Sequence, residues 1–174
     1  MNENKGRGTI WLCITAMFMA FNIVLSSFGV PVPGGRLYLN DIVICTAAII
    51  LDPMAAFIVG GIGAFIGDFL FYPAPMFVSL VTHGLQAVVI SYFAHNTFKN
   101  NPIFASFLGV VFGAIIMVVG YTLGRAFIYG TPEYAILKMP YQILQATIGA
   151  GISIILCWKC NLHQHFMQAL KKYF

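Results

Sequence analysis

Long apolar runs, each closed by a short polar or proline-glycine segment, organise the chain. The first runs from about residue 9 to 29 and stops at Pro31-Val32-Pro33-Gly34-Gly35, turn chemistry that no helix tolerates. Further runs cover about 41–51, 54–71, 75–95, 102–124 and 140–160. A helical crossing takes about 20 residues, so the 41–51 run is too short to cross alone. It is expected to sit tilted or partly re-entrant beside 54–71, with Asp41 as its N-cap and Asp52-Pro53 as its break. The pattern predicts an all-α integral membrane protein: a bundle of six transmembrane helices in a single domain over residues 1–174.

Composition names the solvent. The chain is 60% hydrophobic and 8% charged, with a mean hydropathy of +0.87. Soluble domains carry roughly 25% charged residues, so this surface is built for lipid. Met1 to Gly8 is polar, and the apolar run after it continues without a small-residue cleavage site, which reads as a retained first span.

Charge sets orientation. In a six-helix bundle Lys5, Arg7, Lys99, Lys159, Lys171 and Lys172 share one side, while Arg36, Arg125 and Lys138 share the other. Basic residues favour the cytoplasmic side, which places both termini there. The formal charge of +4 is explained by lysines beside anionic lipid. No basic stripe interleaves with aromatics as nucleic-acid binding demands.

Against so apolar a background, single polar positions stand out. Gly60-Gly61-Ile62-Gly63 leads to Asp68, then Tyr72-Pro73-Ala74-Pro75, then Ser79, Thr82, His83 and Gln86. The predicted orientation puts the 36–41 loop, the 68–75 turn and a 125–138 loop on the outer face. Gln142 and Gln145 can face inward from the sixth helix, and Tyr38, Asn40, Phe71, Tyr72, Tyr121 and Tyr141 supply walls. A small-molecule pocket opening outward is the expected geometry. Each residue also has a plainer reading: Asp68 as a carboxylate reaching water or pairing with Arg36 or Arg125, and His83, Gln86, Gln142 and Gln145 as interhelical hydrogen bonds.

Two strips of small residues let helices approach closely: Ala16 and Ala20 in the first helix, Gly63 and Gly67 in the third. Cys157-Trp158-Lys159-Cys160 with His163 and His165 is too tightly spaced for a standard zinc finger. No membrane-protease pair, serine elbow or phosphate-cradling loop is present, and nothing calls for a cofactor or metal. The spans also lack the inverted repeat and ionisable relay of a self-sufficient transporter. What remains is a protein that captures a solute and needs another protein to drive it.

On these features the chain resembles the S component, the substrate-binding membrane subunit, of an energy-coupling-factor (ECF) vitamin transporter. The resemblance rests on the Ala16/Ala20 strip, the Pro/Gly-rich first loop, Leu51-Asp52-Pro53-Met54-Ala55-Ala56 before a glycine-rich helix ending in Gly67-Asp68, and Tyr72-Pro-Ala-Pro followed by His83-Gly84-Leu85-Gln86. The Leu-Asp-Pro turn departs from the commoner Leu-Gly-Pro of such proteins. The resemblance implies high-affinity capture from outside a bacterial plasma membrane, with Val30 to Asn40 closing over the ligand. Ala16 and Ala20 would dock on an ECF transmembrane coupling subunit, and two partner ATPases would hydrolyse ATP.

Asp68, His83, Gln86 and the tyrosines suit a compact aromatic heterocycle, within this family pyridoxine or hydroxymethylpyrimidine first, with riboflavin, pantothenate, folate or a queuosine precursor open. The reading from another class is a membrane scaffold or assembly protein whose polar residues only knit helices together.

Overall fold

Helix α1 spans Glu3–Ser26 and ends earlier than predicted, because the hydroxyls of Ser26 and Ser27 turn back onto the carbonyls of Asn22 and Val24. The computed structural model describes residues 3–33 and 35–173, with side chains from 8–33 and 35–168. Gly34 and the side chains of Lys5, Arg7, Lys171 and Lys172, four of the basic residues behind the predicted orientation, lie outside the described residues.

The predicted first loop is a β-hairpin. Strands β1 (Gly29–Val32) and β2 (Gly35–Tyr38) pair antiparallel, Gly29 opposite Tyr38 and Val32 opposite Gly35. Valines 30 and 32 favour extended backbone. Pro31 is tolerated because a two-stranded ribbon consists of edges. Gly35 has φ +133°, a conformation glycine adopts readily.

Helix α2 (Asn40–Ile50) is the buried centre of the bundle. At 1.5 Å per residue its 11 residues reach roughly 16 Å. Its N-cap position is Leu39, with no side-chain cap bond, so Asp41 is not the cap. Asp41 instead turns inward and is 1% exposed. Asp52 is a cap: it accepts from the backbone N–H groups of Met54 and Ala55, with Pro53 following at the first helical position. Its other carboxylate oxygen accepts from the Trp11 indole of α1 at 2.5 Å. A glycine in that turn could do neither.

Helix α3 (Pro53–Phe71) carries a π-helical stretch at Ile58–Ile62, and α4 spans Met76–Asn96. The two touch backbone to backbone: a Cβ on Gly60 would lie 2.8 Å from both the His83 carbonyl oxygen and the Ala87 Cβ. Gly63 and Gly67 face Asn22 and Ser26 of α1.

The last two spans are longer than predicted. Helix α5 covers Pro102–Tyr129 and α6 covers Pro132–Lys159. The expected 125–138 loop shrinks to a tight turn, placing Arg125 and Lys138 on helices. Thr131 caps α6 at the Tyr134 N–H, with Pro132 at the first position. Pro140, predicted as a helix start, lies inside α6. It forgoes one backbone bond, a loss that a packed membrane helix absorbs.

A seventh helix was not predicted. Asn161, with φ +56°, turns the chain, and α7 (Leu162–Tyr173) packs back on the bundle. Phe166 meets Phe18 at 6.2 Å between centroids, and His163 stacks on Trp158 at 4.9 Å. Among the described residues no three His, Cys, Asp or Glu side chains cluster as metal ligands.

Five helices, α1 from Gly8 and α3 to α6, are long and apolar enough to cross a membrane. Large apolar side chains cover the outside, Phe127 at 79% exposure among them. In water such area costs about 25 cal/mol per Å², whereas in lipid it is matched to its solvent. This is a multi-pass membrane protein.

Candidate functional site

Where the hairpin meets the ends of α1, α3, α5 and α6, the bundle encloses a cavity of about 310 Å³. That lies at the lower end of the roughly 300–1,000 Å³ usual for small-ligand sites.

Below the cavity, Asp41 holds three helices together. It accepts from Gln86 Nε2 of α4 at 3.0 Å and from Gln145 Nε2 of α6 at 2.6 Å. Gly149 makes room, since a Cβ there would lie 2.5 Å from the Asp41 Cβ. With its amide committed to Asp41, Gln86 presents its carbonyl to His83 Nδ1 at 2.6 Å. That network assigns a proton to Nδ1, which donates to the Gln86 carbonyl, and turns the Nε2 edge of the ring away from it. Gln145 Oε1 accepts from the Tyr38 backbone N–H at 3.0 Å, tying the hairpin to the same cluster.

One wall is acidic and phenolic. Asp68 accepts from Ser79, and the Ser79 hydroxyl lies 2.5 Å from the Tyr121 hydroxyl. Tyr121 sets its ring edge against His83, centroids 5.2 Å apart. Burial first, and the Asp68 charge second, push the Tyr38 phenol above its ordinary pKa, keeping it a neutral donor.

The opposite wall is cationic. Arg125 Nη1 donates to Gln142 Oε1 at 3.0 Å, and its guanidinium lies 5.6 Å and 5.7 Å from the ring centroids of Tyr129 and Tyr134. Lys138 donates to the backbone carbonyl of Arg36 at 2.5 Å. Arg36 itself also lines the cavity.

Buried polar atoms normally find partners. Six buried side-chain atoms among the described residues have none, and three belong to this lining: Asn40 Oδ1, Arg125 Nε and Tyr129 Oη. An acceptor, a cationic donor and a phenol around the cavity are thus left without a protein partner.

Of the residues expected to bind a ligand, Tyr38, Asn40, Asp68, Tyr72, His83, Tyr121, Gln142 and Gln145 line the cavity, with Phe71 beside them. Gln86 lies one layer behind, holding His83, and Tyr141 is not in the lining. Lys138 was read only as a marker of orientation, Arg36 and Arg125 as such markers and as partners for Asp68, with which neither forms an ion pair among the described residues, and Tyr129 and Tyr134 were missed. A periodic signal existed: Met117, Tyr121, Arg125 and Tyr129 recur every four residues on α5, and Tyr134, Lys138, Gln142 and Gln145 nearly so on α6. Seeing the second stripe requires carrying the helix through Pro140. Ala16 and Ala20 are exposed on α1, away from the cavity.

Comparison with known proteins agrees with this architecture. A curated protein of Pyrococcus woesei, described as an uncharacterized protein in the gap 3′ region, is 33% identical over 133 residues, covering 73% of this chain and 87% of that one. The family model described as the ECF-type riboflavin transporter S component matches residues 9–161. The chain therefore belongs to the ECF-type riboflavin transporter S component family, membrane subunits that capture a vitamin substrate for transport.

Proposed function

We propose that the protein captures riboflavin from outside the plasma membrane and presents it to an ECF coupling subunit driven by two partner ATPases. The observation that carries this reading is the cavity: about 310 Å³, lined by five tyrosines and by buried polar atoms without protein partners. A planar fused ring can stack on Tyr38, Tyr72, Tyr121, Tyr129 and Tyr134. Asp68, His83 and the tyrosine hydroxyls of the lining offer hydrogen bonds to ring N–H or side-chain hydroxyl groups. The family match favours riboflavin over pyridoxine or hydroxymethylpyrimidine, whose single rings would leave much of this volume unfilled.

In this reading the cavity opens outward, both termini are cytoplasmic, and the exposed Ala16 and Ala20 dock on the coupling subunit. ATP is hydrolysed by the partners. The test is titration of the purified full chain in detergent with riboflavin, following quenching of flavin fluorescence. Pyridoxine, hydroxymethylpyrimidine, pantothenate, folate and a queuosine precursor serve as competitors. Saturable one-to-one quenching is expected, weakened by Asp68→Ala and by His83→Ala in folded protein. Unchanged affinity in both variants would sink the site, and a folded protein that binds none of the panel would be a scaffold.

A further inference from the structure

The end of the bundle away from the cavity carries chemistry that cargo capture does not use. Helix α2 stops at Ile50, and α7 folds back from the Asn161 turn to lay Leu162 and Phe166 on the apolar core at that end. Two ring contacts seat α7. Phe166 meets Phe18 of α1, and His163 stacks on Trp158 of α6 with the ring planes 25° apart. The Trp158 indole N–H is buried without a partner, so packing alone holds that ring.

Apolar contacts do not titrate, whereas an imidazole does so near neutral pH. His163 is half-buried, and among the described residues no carboxylate lies within 4.0 Å of it. The titratable group that acts on it is a second imidazole, His95 at the end of α4. Burial first, and His95 second, hold the docked His163 below the usual histidine range. The other elements against α7 add no counter-charge. Helix α1 presents Ile14 and Phe18, α2 ends in Ile50 and Leu51, and on α6 Cys157 is buried in the core while Lys159 and Cys160 are exposed. His165, on α7 itself, is exposed.

A docked ring that holds its proton less tightly than a free one favours docking above the ordinary histidine pKa of about 6.5. That advantage is lost as pH falls below it. We infer that α7 is a pH-released strap, docked on the bundle while His163 is neutral and freed when His163 is protonated. What it uncovers is α1 at Phe18, which lies in sequence between Ala16 and Ala20. The strap works whatever the cargo, and rests on no reading of the cavity.

The test compares the full chain in detergent at about pH 7.5 and about pH 5. Hydrogen exchange of residues 162–173, corrected for the intrinsic effect of pH, reports docking of α7 directly. The chain has two tryptophans, so Trp11→Phe makes Trp158 the sole fluorescent reporter of the stack. In acid the α7 amides should exchange several-fold faster, and Trp158 emission should shift to the red as its ring meets water. His163→Phe keeps a ring on Trp158 with no proton to gain, and should abolish both changes. Exchange that is indifferent to pH would overturn the strap. So would slower exchange with a blue shift in acid, the sign of an imidazolium drawn tighter onto the indole face. An unaltered transition in His163→Phe would assign it to another group and overturn the strap as well. Exchange in the wild-type chain needs no variant, so it decides the matter even where Trp11→Phe or His163→Phe does not fold.

Discussion

Helices α1 and α2 pack side by side and are both strongly apolar, yet they meet opposite fates. Along residues 8–26 of α1 the buried residues are Thr15, Asn22 and Ser26, all polar. In α2 nine of eleven residues are buried, Asn40 and Asp41 among them. In water the apolar face of α1 would turn inward. In lipid it stays outside, and the polar stripe goes in because only protein can satisfy it. Asn22 accordingly donates to the Val59 carbonyl of α3 at 2.6 Å. Burial along α1 follows polarity and close approach, not hydrophobicity.

If so, the largest loss comes from the polar hub of α2. Asp41→Ala leaves the Gln86 and Gln145 amides without their acceptor, and should lower stability by about 3–5 kcal/mol and abolish riboflavin binding. Thermal unfolding in detergent, with flavin titration at a permissive temperature, reads both. A change within about 1 kcal/mol would mean that α2 is held by its apolar residues after all.

Gly149→Ala attacks the same helix by volume. Its Cβ would lie 2.5 Å from that of Asp41, so α2 and α6 must part, at about 1–3 kcal/mol and with weaker vitamin binding. Full stability in this variant would show the contact to be yielding. Asp52→Ala loses the cap of α3 and its bond to α1, about 1 kcal/mol in the same unfolding assay, and should leave flavin affinity untouched.

The smallest effect on stability falls on the exposed face of α1. Ala16→Trp should change unfolding by less than about 0.5 kcal/mol and leave vitamin binding intact. Uptake by cells carrying the complete transporter should nevertheless fall to background. Normal uptake would remove α1 from the docking surface.

The same distinction explains how far the sequence could be read. Helical spans announce themselves as apolar runs, and Asp68 and His83 as polar interruptions within them. Asp41 did not, because a carboxylate at the start of a helix has a local explanation as a cap. Its real partners, Gln86 and Gln145, lie 45 and 104 residues away. Local stop signals also misled at Pro140, where tertiary packing carries α6 through a residue that would end an isolated helix. Leu162 and Phe166 hinted at α7, but a polar tail after the last span offers no apolar run. The hairpin was hidden by its prolines and glycines, which are turn residues first and strand residues only when a partner strand lies within reach.

The hairpin is fastened to α6 by its main chain alone in two places: the Tyr38 N–H to Gln145 and the Arg36 carbonyl to Lys138. Any amino acid at position 36, and any but proline at 38, offers the same two anchor atoms. For the hairpin's own side chains, closure and selectivity are thereby separable during evolution, while Gln145 and Lys138 of α6 serve both. Relatives can change the residues that face the cargo, one substitution at a time, while the latch that seats the hairpin passes unaltered from one specificity to the next.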